Sequence, residues 1–288
     1  MSNALIIIRN VSAWKMQPPA MYGSFHILAV IVMSALAVWG ARLVRKRGWN
    51  VTRVLAVTGW ALIVLEIFKQ LFLCYVVNGG AYDYWFFPFQ LCSVPMYLCV
   101  LLPRLGRGGQ RAGDRTAVQQ TGGQGGLRAA VLTFMASYTF VSAVATFVYP
   151  EDLLRSYAAL TVHGFLWHGL LLFLSLTVVL TAAADLTVRG FARATALYLA
   201  LCCVAVALNV ALEPLAAARM AGPLAHAYPN MFYLSPYHFS GQPLIGTVQR
   251  AAGIPAGLAL YIAATVAFSA GAAAAFARGF HHSKEGVK

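Results

Sequence analysis

Cys92 is the residue whose setting in the sequence points most clearly to covalent chemistry. It lies in the stretch 85–103, WFFPFQLCSVPMYLCVLLP, an apolar run with three prolines, Gln90 and a second cysteine, Cys99. A cysteine among apolar residues is ordinarily a small packing group, and Cys99, one heptad on, is read that way. The backbone around Cys92 is different. Pro95 lacks an N–H and, within a helix, strands the Leu91 carbonyl, while Pro88 sets the entry, so a kinked segment lined by free backbone groups is expected. Such irregularity survives in a bilayer only where protein or water satisfies it. A thiol there becomes a nucleophile if an imidazole takes its proton, and the sequence offers His163 and His168. They are five residues apart, about 140° around a helix, so both cannot face one group or chelate a metal as an i, i+4 pair would. No metal and no cofactor is expected. Depth favours His163 as the partner of Cys92, whereas a kink would lower the thiol toward His168.

The other polar groups in apolar segments are Glu66, Lys69, Gln90, Asn209 and Glu213, and each is costly in a bilayer unless it faces the bundle interior. Counted at 1.5 Å per residue, they fall in the same half of the membrane as Cys92 and the two histidines. Glu66 and Lys69 share a helical face and read either as a structural ion pair or as a pair that polarises a substrate or a histidine. Asn209 and Glu213 share a face too, with Pro214 marking the nearby helix end. Together with Asn230, these are the residues expected to bind or orient a substrate.

The elements that must hold these groups follow from composition. A chain of 288 residues that is 60% hydrophobic and 10% charged departs far from the roughly 25% charged usage of soluble domains, and it reads as an all-α, polytopic membrane helix bundle. Seven segments approach the roughly 20 residues that a bilayer core requires: 26–44, 54–77, 86–103, 129–148, 157–181, 194–215 and 252–277. The net charge of +13 comes from basic clusters between these segments, which suits topology signals facing anionic lipid and not nucleic-acid binding. Lys and Arg in alternate loops divide fifteen against five. That bias predicts a multi-pass protein of the cell membrane with its N-terminus outside and its C-terminus cytoplasmic.

Residues 1–25 read as an external or interfacial lead-in without the basic start of a cleaved signal peptide, residues 26–280 as the membrane domain and 281–288 as a cytoplasmic tail. The loop 104–128 holds eight glycines and no aromatic residue, so a flexible cytoplasmic linker is expected. The external connection 216–251 mixes aromatics, prolines, Asn230 and histidines, a composition that suits an ordered cap. The five cysteines show no C-x-x-C pair, and no internal repeat stands out.

On these residues the sequence resembles the YwaF-like family of bacterial integral membrane proteins, related to the animal transmembrane protein 164 family of phospholipid acyltransferases. The resemblance runs from about 54 to 277. It is carried by E-x-x-K-Q (Glu66, Lys69, Gln70), P-F-Q-L-C-S (Pro88 to Ser93), H-G-F-L-W-H-G (His163 to Gly169), Asn209, and N-M-F-Y-L-S-P (Asn230 to Pro236). It implies an acyl thioester formed and broken on Cys92 with the help of a histidine, by motif context His168, with His163 as the alternate. The long glycine-rich loop departs from the family pattern. The implied function is an intramembrane lipid-acyl transferase or hydrolase whose partner is membrane lipid, through phospholipid acyl chains. The alternatives are a non-enzymatic carrier or receptor that binds a polar solute within the bundle, and a purely structural membrane partner.

Overall fold

The computed structural model describes residues 12–105, 124–218 and 228–285. Most of the 104–128 loop, part of the 216–251 connection, the first eleven residues and the last three therefore lie outside the described residues. Within them the chain is helical: α1 Ser24–Arg47, α2 Val51–Leu71, α3 Val94–Leu101, α4 Gln124–Phe134, α5 Phe140–Val148, α6 Ala158–Leu180, α7 Val188–Ala217, α8 Pro243–Ala252 and α9 Ile254–Glu285. A π-helical turn at Phe72–Val77 extends α2, and another at Met135–Thr139 joins α4 to α5 in one span.

Six spans are long and apolar enough to cross a membrane, with mean hydropathy of 1.7 to 2.2. Their burial sorts them into layers. In α6 67% of the apolar window is buried and in the α4–α5 span 61%, against 17% for both α1 and α9, so α6 and α4–α5 form the centre and the others turn one side to lipid. Apolar residues such as Val57, Trp60, Val64 and Ile67 of α2 accordingly remain exposed, as a bilayer in place of water allows. The ends of the spans are capped locally. Gly48 ends α1 in the left-handed region at φ 62° behind Arg45, Lys46 and Arg47, whose charges suit a helix C-terminus. Asn50 and Thr187 accept the Arg53 and Gly190 amides at the starts of α2 and α7. Pro214, expected at a helix end, lies inside the last turn of α7, which runs on to Ala217.

The third of the seven expected segments crosses in a different way. At one end the Gln70 amide donates to the Phe86 carbonyl at 2.6 Å; at the other Arg128 donates to both Leu102 O and Thr52 Oγ1, at 3.3 and 2.6 Å. Residues 86–102 thus run alongside α2 from the level of Gln70 to that of Thr52, about 27 Å at the helical rise and close to the depth of a bilayer core. Only eight of these residues, α3, are regular helix, and they cover about 12 Å. The remaining rise is made by the open stretch before Val94, which carries Cys92. Pro95 is the second residue of α3, where a missing N–H breaks no intrahelical bond; it starts the helix and does not kink one. The helical half packs tightly on α2. A Cβ at Gly59 would sit 2.6 Å from Cys99 Cβ, and Cys99 is fully buried, as its packing role requires.

The lead-in residues pair with the loop between α5 and α6. Met16 N donates to Ser156 O at 2.8 Å, Ala158 N to Trp14 O at 3.0 Å, and Lys15 bridges to Tyr157.

Candidate functional site

The open stretch before α3 leaves carbonyls that no helix can satisfy, and side chains from three directions supply the donors. Phe86 O accepts from Gln70, Pro88 O from the Tyr97 hydroxyl at 2.8 Å, and Cys92 O from the Trp167 indole at 3.1 Å. Gln90 O takes the Ser93 and Val94 amides. Left unpaired in a dry interior, each such carbonyl would cost about 1–3 kcal/mol, so these donors make the break possible. No hydrogen bond is formed by the backbone amides of Leu91 and Cys92 to any described residue.

Trp167 connects Cys92 to the rest of the polar group. Its ring stacks on His163 at 5.5 Å between centroids and carries the Lys69 ammonium 5.8 Å from its own. Lys69 Nζ in turn lies 2.8 Å from Glu66 Oε1, which also accepts from Gln70 at 2.7 Å. The chain of contacts therefore runs Phe86, Gln70, Glu66, Lys69, Trp167 and Cys92, across α2, the open stretch and α6. Loop residues at its outer edge feel it. Burial first, and then the negative charge of Glu66, push the Tyr82 phenol up to about 12.

The two histidines point different ways, as their spacing requires. His163 Nε2 donates to Leu65 O at 3.2 Å and His168 Nδ1 to Gly164 O at 2.8 Å. A carbonyl only accepts, so each of these nitrogens carries the proton, and the free lone pairs are Nδ1 of His163 and Nε2 of His168. His163 is held between α2 and Trp167; His168 lies beside Phe147 of α5, 6.3 Å between rings. Neither imidazole hydrogen-bonds to the Cys92 thiol among the described residues. Cys92 is tied to α6 through its carbonyl and the Trp167 indole; Trp167 is one turn from His163 along the helix and precedes His168 in sequence.

The remaining residues assigned from sequence gather on the connection between α7 and α8. Asn209 on α7 receives the Met231 amide at 2.6 Å and donates to Met231 O at 3.1 Å. Gln90 does the same one residue either side, accepting from Phe232 N at 2.8 Å and donating to Asn230 O at 3.1 Å. Asn230 Oδ1 closes the loop on Ser235 N at 2.9 Å, and its Nδ2 is buried without a described partner. Between these clamps Phe232 and Tyr233 both adopt positive φ, 56° and 57°, a left-handed backbone that a bulky side chain rarely takes. Glu213 pairs with His238 at 2.8 Å, on which Tyr228 stacks. The structure thus brings Glu66, Lys69, Cys92 and His163 to one network and Gln90, Asn209 and Asn230 to a loop clamp beside it. Glu213 stands apart from both.

Trp167, Gln70 and Tyr97 carry roles that residue types alone did not assign. The available signal was a surplus of freed carbonyls in a proline-rich segment, which calls for buried indole, amide and phenol donors. Two cavities are formed elsewhere. One of about 510 Å³ lies by Lys15, Gly79, Gly80 and Tyr157, and one of about 380 Å³ by Val178 and Asp185; neither is lined by Cys92 or a histidine.

A sequence model of the TMEM164 family matches residues 21–268. No curated protein and no solved structure matches the chain significantly.

Proposed function

The chain belongs to the TMEM164 family, and from that premise we propose that it is an intramembrane lipid-acyl transferase or hydrolase with Cys92 as nucleophile and His168 as its base. The observation that carries the reading is the break in the third crossing. Cys92 stands on an open backbone, pinned through its own carbonyl to the histidine helix by Trp167. The Nε2 lone pair of His168 takes the thiol proton; the thiolate attacks a phospholipid ester carbonyl, and the leaving alkoxide regains the proton from the imidazolium. The amides of Leu91 and Cys92, unpaired among the described residues, are donors suited to the oxyanion. His163, stacked on Trp167, remains the alternate base. Lys69 orients Trp167, and the Gln90, Asn209 and Asn230 clamp holds the open stretch in place.

Turnover of labelled phospholipid in vesicles tests this. Cys92→Ser should lower it by at least about 10³-fold, while Cys99→Ala, a packing residue, should stay within about twofold of wild type. Equal turnover by Cys92→Ser and wild type would remove the nucleophile.

The orientation that accompanies this reading places the N-terminus outside and the 104–128 loop in the cytoplasm, on the fifteen-to-five bias of basic residues. A cysteine introduced into that loop should resist an impermeant thiol reagent in intact cells and react after permeabilisation. Labelling in intact cells would invert the topology.

A further inference from the structure

The acyl-transfer scheme leaves one buried group unused. Glu66 is 4% exposed, and its carboxylate is lopsided: Oε1 takes both Lys69 and Gln70, while Oε2 is buried with no partner among the described residues. A buried acceptor without a donor is costly, more so on a charged group. Gln70 and Lys69 are already committed. The Gln70 amide is shared between Oε1 and Phe86 O, and the Lys69 ammonium lies between Oε1 and the face of Trp167. Both of these neighbours lead to the open stretch, Gln70 directly and Lys69 through Trp167.

We propose that Glu66 Oε2 receives the hydroxyl group of the acyl acceptor and takes its proton as that hydroxyl attacks the Cys92 thioester. The inference rests on the acyl-transfer reading and supplies its second half-reaction. The acceptor oxygen forms a bond to the acyl carbon, the carbon–sulfur bond breaks, and the cysteine leaves as thiolate. The acceptor proton passes to Glu66 and from there to the thiolate, which restores both groups. The site so defined takes an O–H nucleophile, either the free hydroxyl of a lysophospholipid or water, and a carboxylate base serves both. A base in this position contributes roughly 10²-fold or more.

The test uses the purified full-length protein in vesicles of phosphatidylcholine with a labelled acyl chain, with and without a lysophospholipid that has one free glycerol hydroxyl. Wild type should form a hydroxylamine-sensitive adduct and clear it, to the lysophospholipid or, as free fatty acid, to water; the product identifies the acceptor. Glu66→Gln should still acquire the adduct but clear it about 10²-fold more slowly. If Glu66→Gln does not fold, Glu66→Asp reads the same partition, because it keeps a carboxylate for Lys69 and withdraws the second oxygen by one methylene. Clearance at the wild-type rate in the folded variant overturns the proposal, and so does loss of adduct formation together with clearance, which would mark Glu66 as a structural ion-pair partner. Absence of an adduct in wild type itself removes the acyl-transfer reading and this inference with it, and is told apart because it needs no variant.

Discussion

His168→Ala should lower phospholipid turnover by roughly 10²–10⁴-fold, the usual contribution of a positioned acid–base group, and His163→Ala by about tenfold or less. The asymmetry follows from what each ring already does. His168 donates through Nδ1 to Gly164 O in its own helix, a bond that fixes the ring and leaves Nε2 as an unprotonated base. His163 spends Nε2–H on Leu65 O and its face on Trp167. Its removal deletes one hydrogen bond, about 1 kcal/mol, and one stacking contact of about 0.5–1.5 kcal/mol, and loosens Trp167 without removing the base. Initial rates in vesicles for the two variants, with folding checked by thermal melting, read the difference. The reverse order would move the base to His163 and make Nδ1 the proton acceptor.

The second large effect is structural. Asn209→Leu removes both the acceptor for Met231 N and the donor to Met231 O, stranding two buried backbone groups at about 1–3 kcal/mol each. The same bonds hold Phe232 and Tyr233 in the left-handed region, where each residue stores about 1–2 kcal/mol. Once Asn209 is gone the loop has reason to relax, and Gln90 cannot hold it alone. The melting temperature in detergent should fall by about 5 °C or more, and limited proteolysis should begin within residues 228–242. An unchanged melt and unchanged proteolysis would show that the loop is held by its aromatic packing and not by the amide clamps.

Much of this arrangement was legible in the sequence. Helix positions follow from apolar runs about as long as a bilayer is thick, and the divergence of His163 and His168 follows from five-residue spacing on a helix. Asn209 and Glu213, four apart on α7 and so on one face, both meet residues 228–242, one at Met231 and the other at His238. The third segment reads from sequence as a kinked span lined by free backbone groups, whereas it is not among the six helices long and apolar enough to cross a membrane, and Pro95 reads equally well as a mid-helix kink or as an early helix residue. Only the packing of α3 against Gly59, and the donors supplied by Gln70, Tyr97 and Trp167, decide between the two. Trp167 meets Cys92 across 75 residues of sequence, a separation at which local periodicity carries no signal. Glu66 and Lys69 were readable as a pair, whereas the unpartnered second oxygen of Glu66 emerges only from the committed donors around it.

The proposed mechanism places an acyl group on Cys92. Purified protein incubated with vesicles of acyl-labelled phospholipid, quenched and digested, should yield a hydroxylamine-sensitive label on the peptide that contains Cys92, present in wild type and Cys99→Ala and absent in Cys92→Ser. Equal label in wild type and Cys92→Ser, or label confined to another cysteine, would contradict the account.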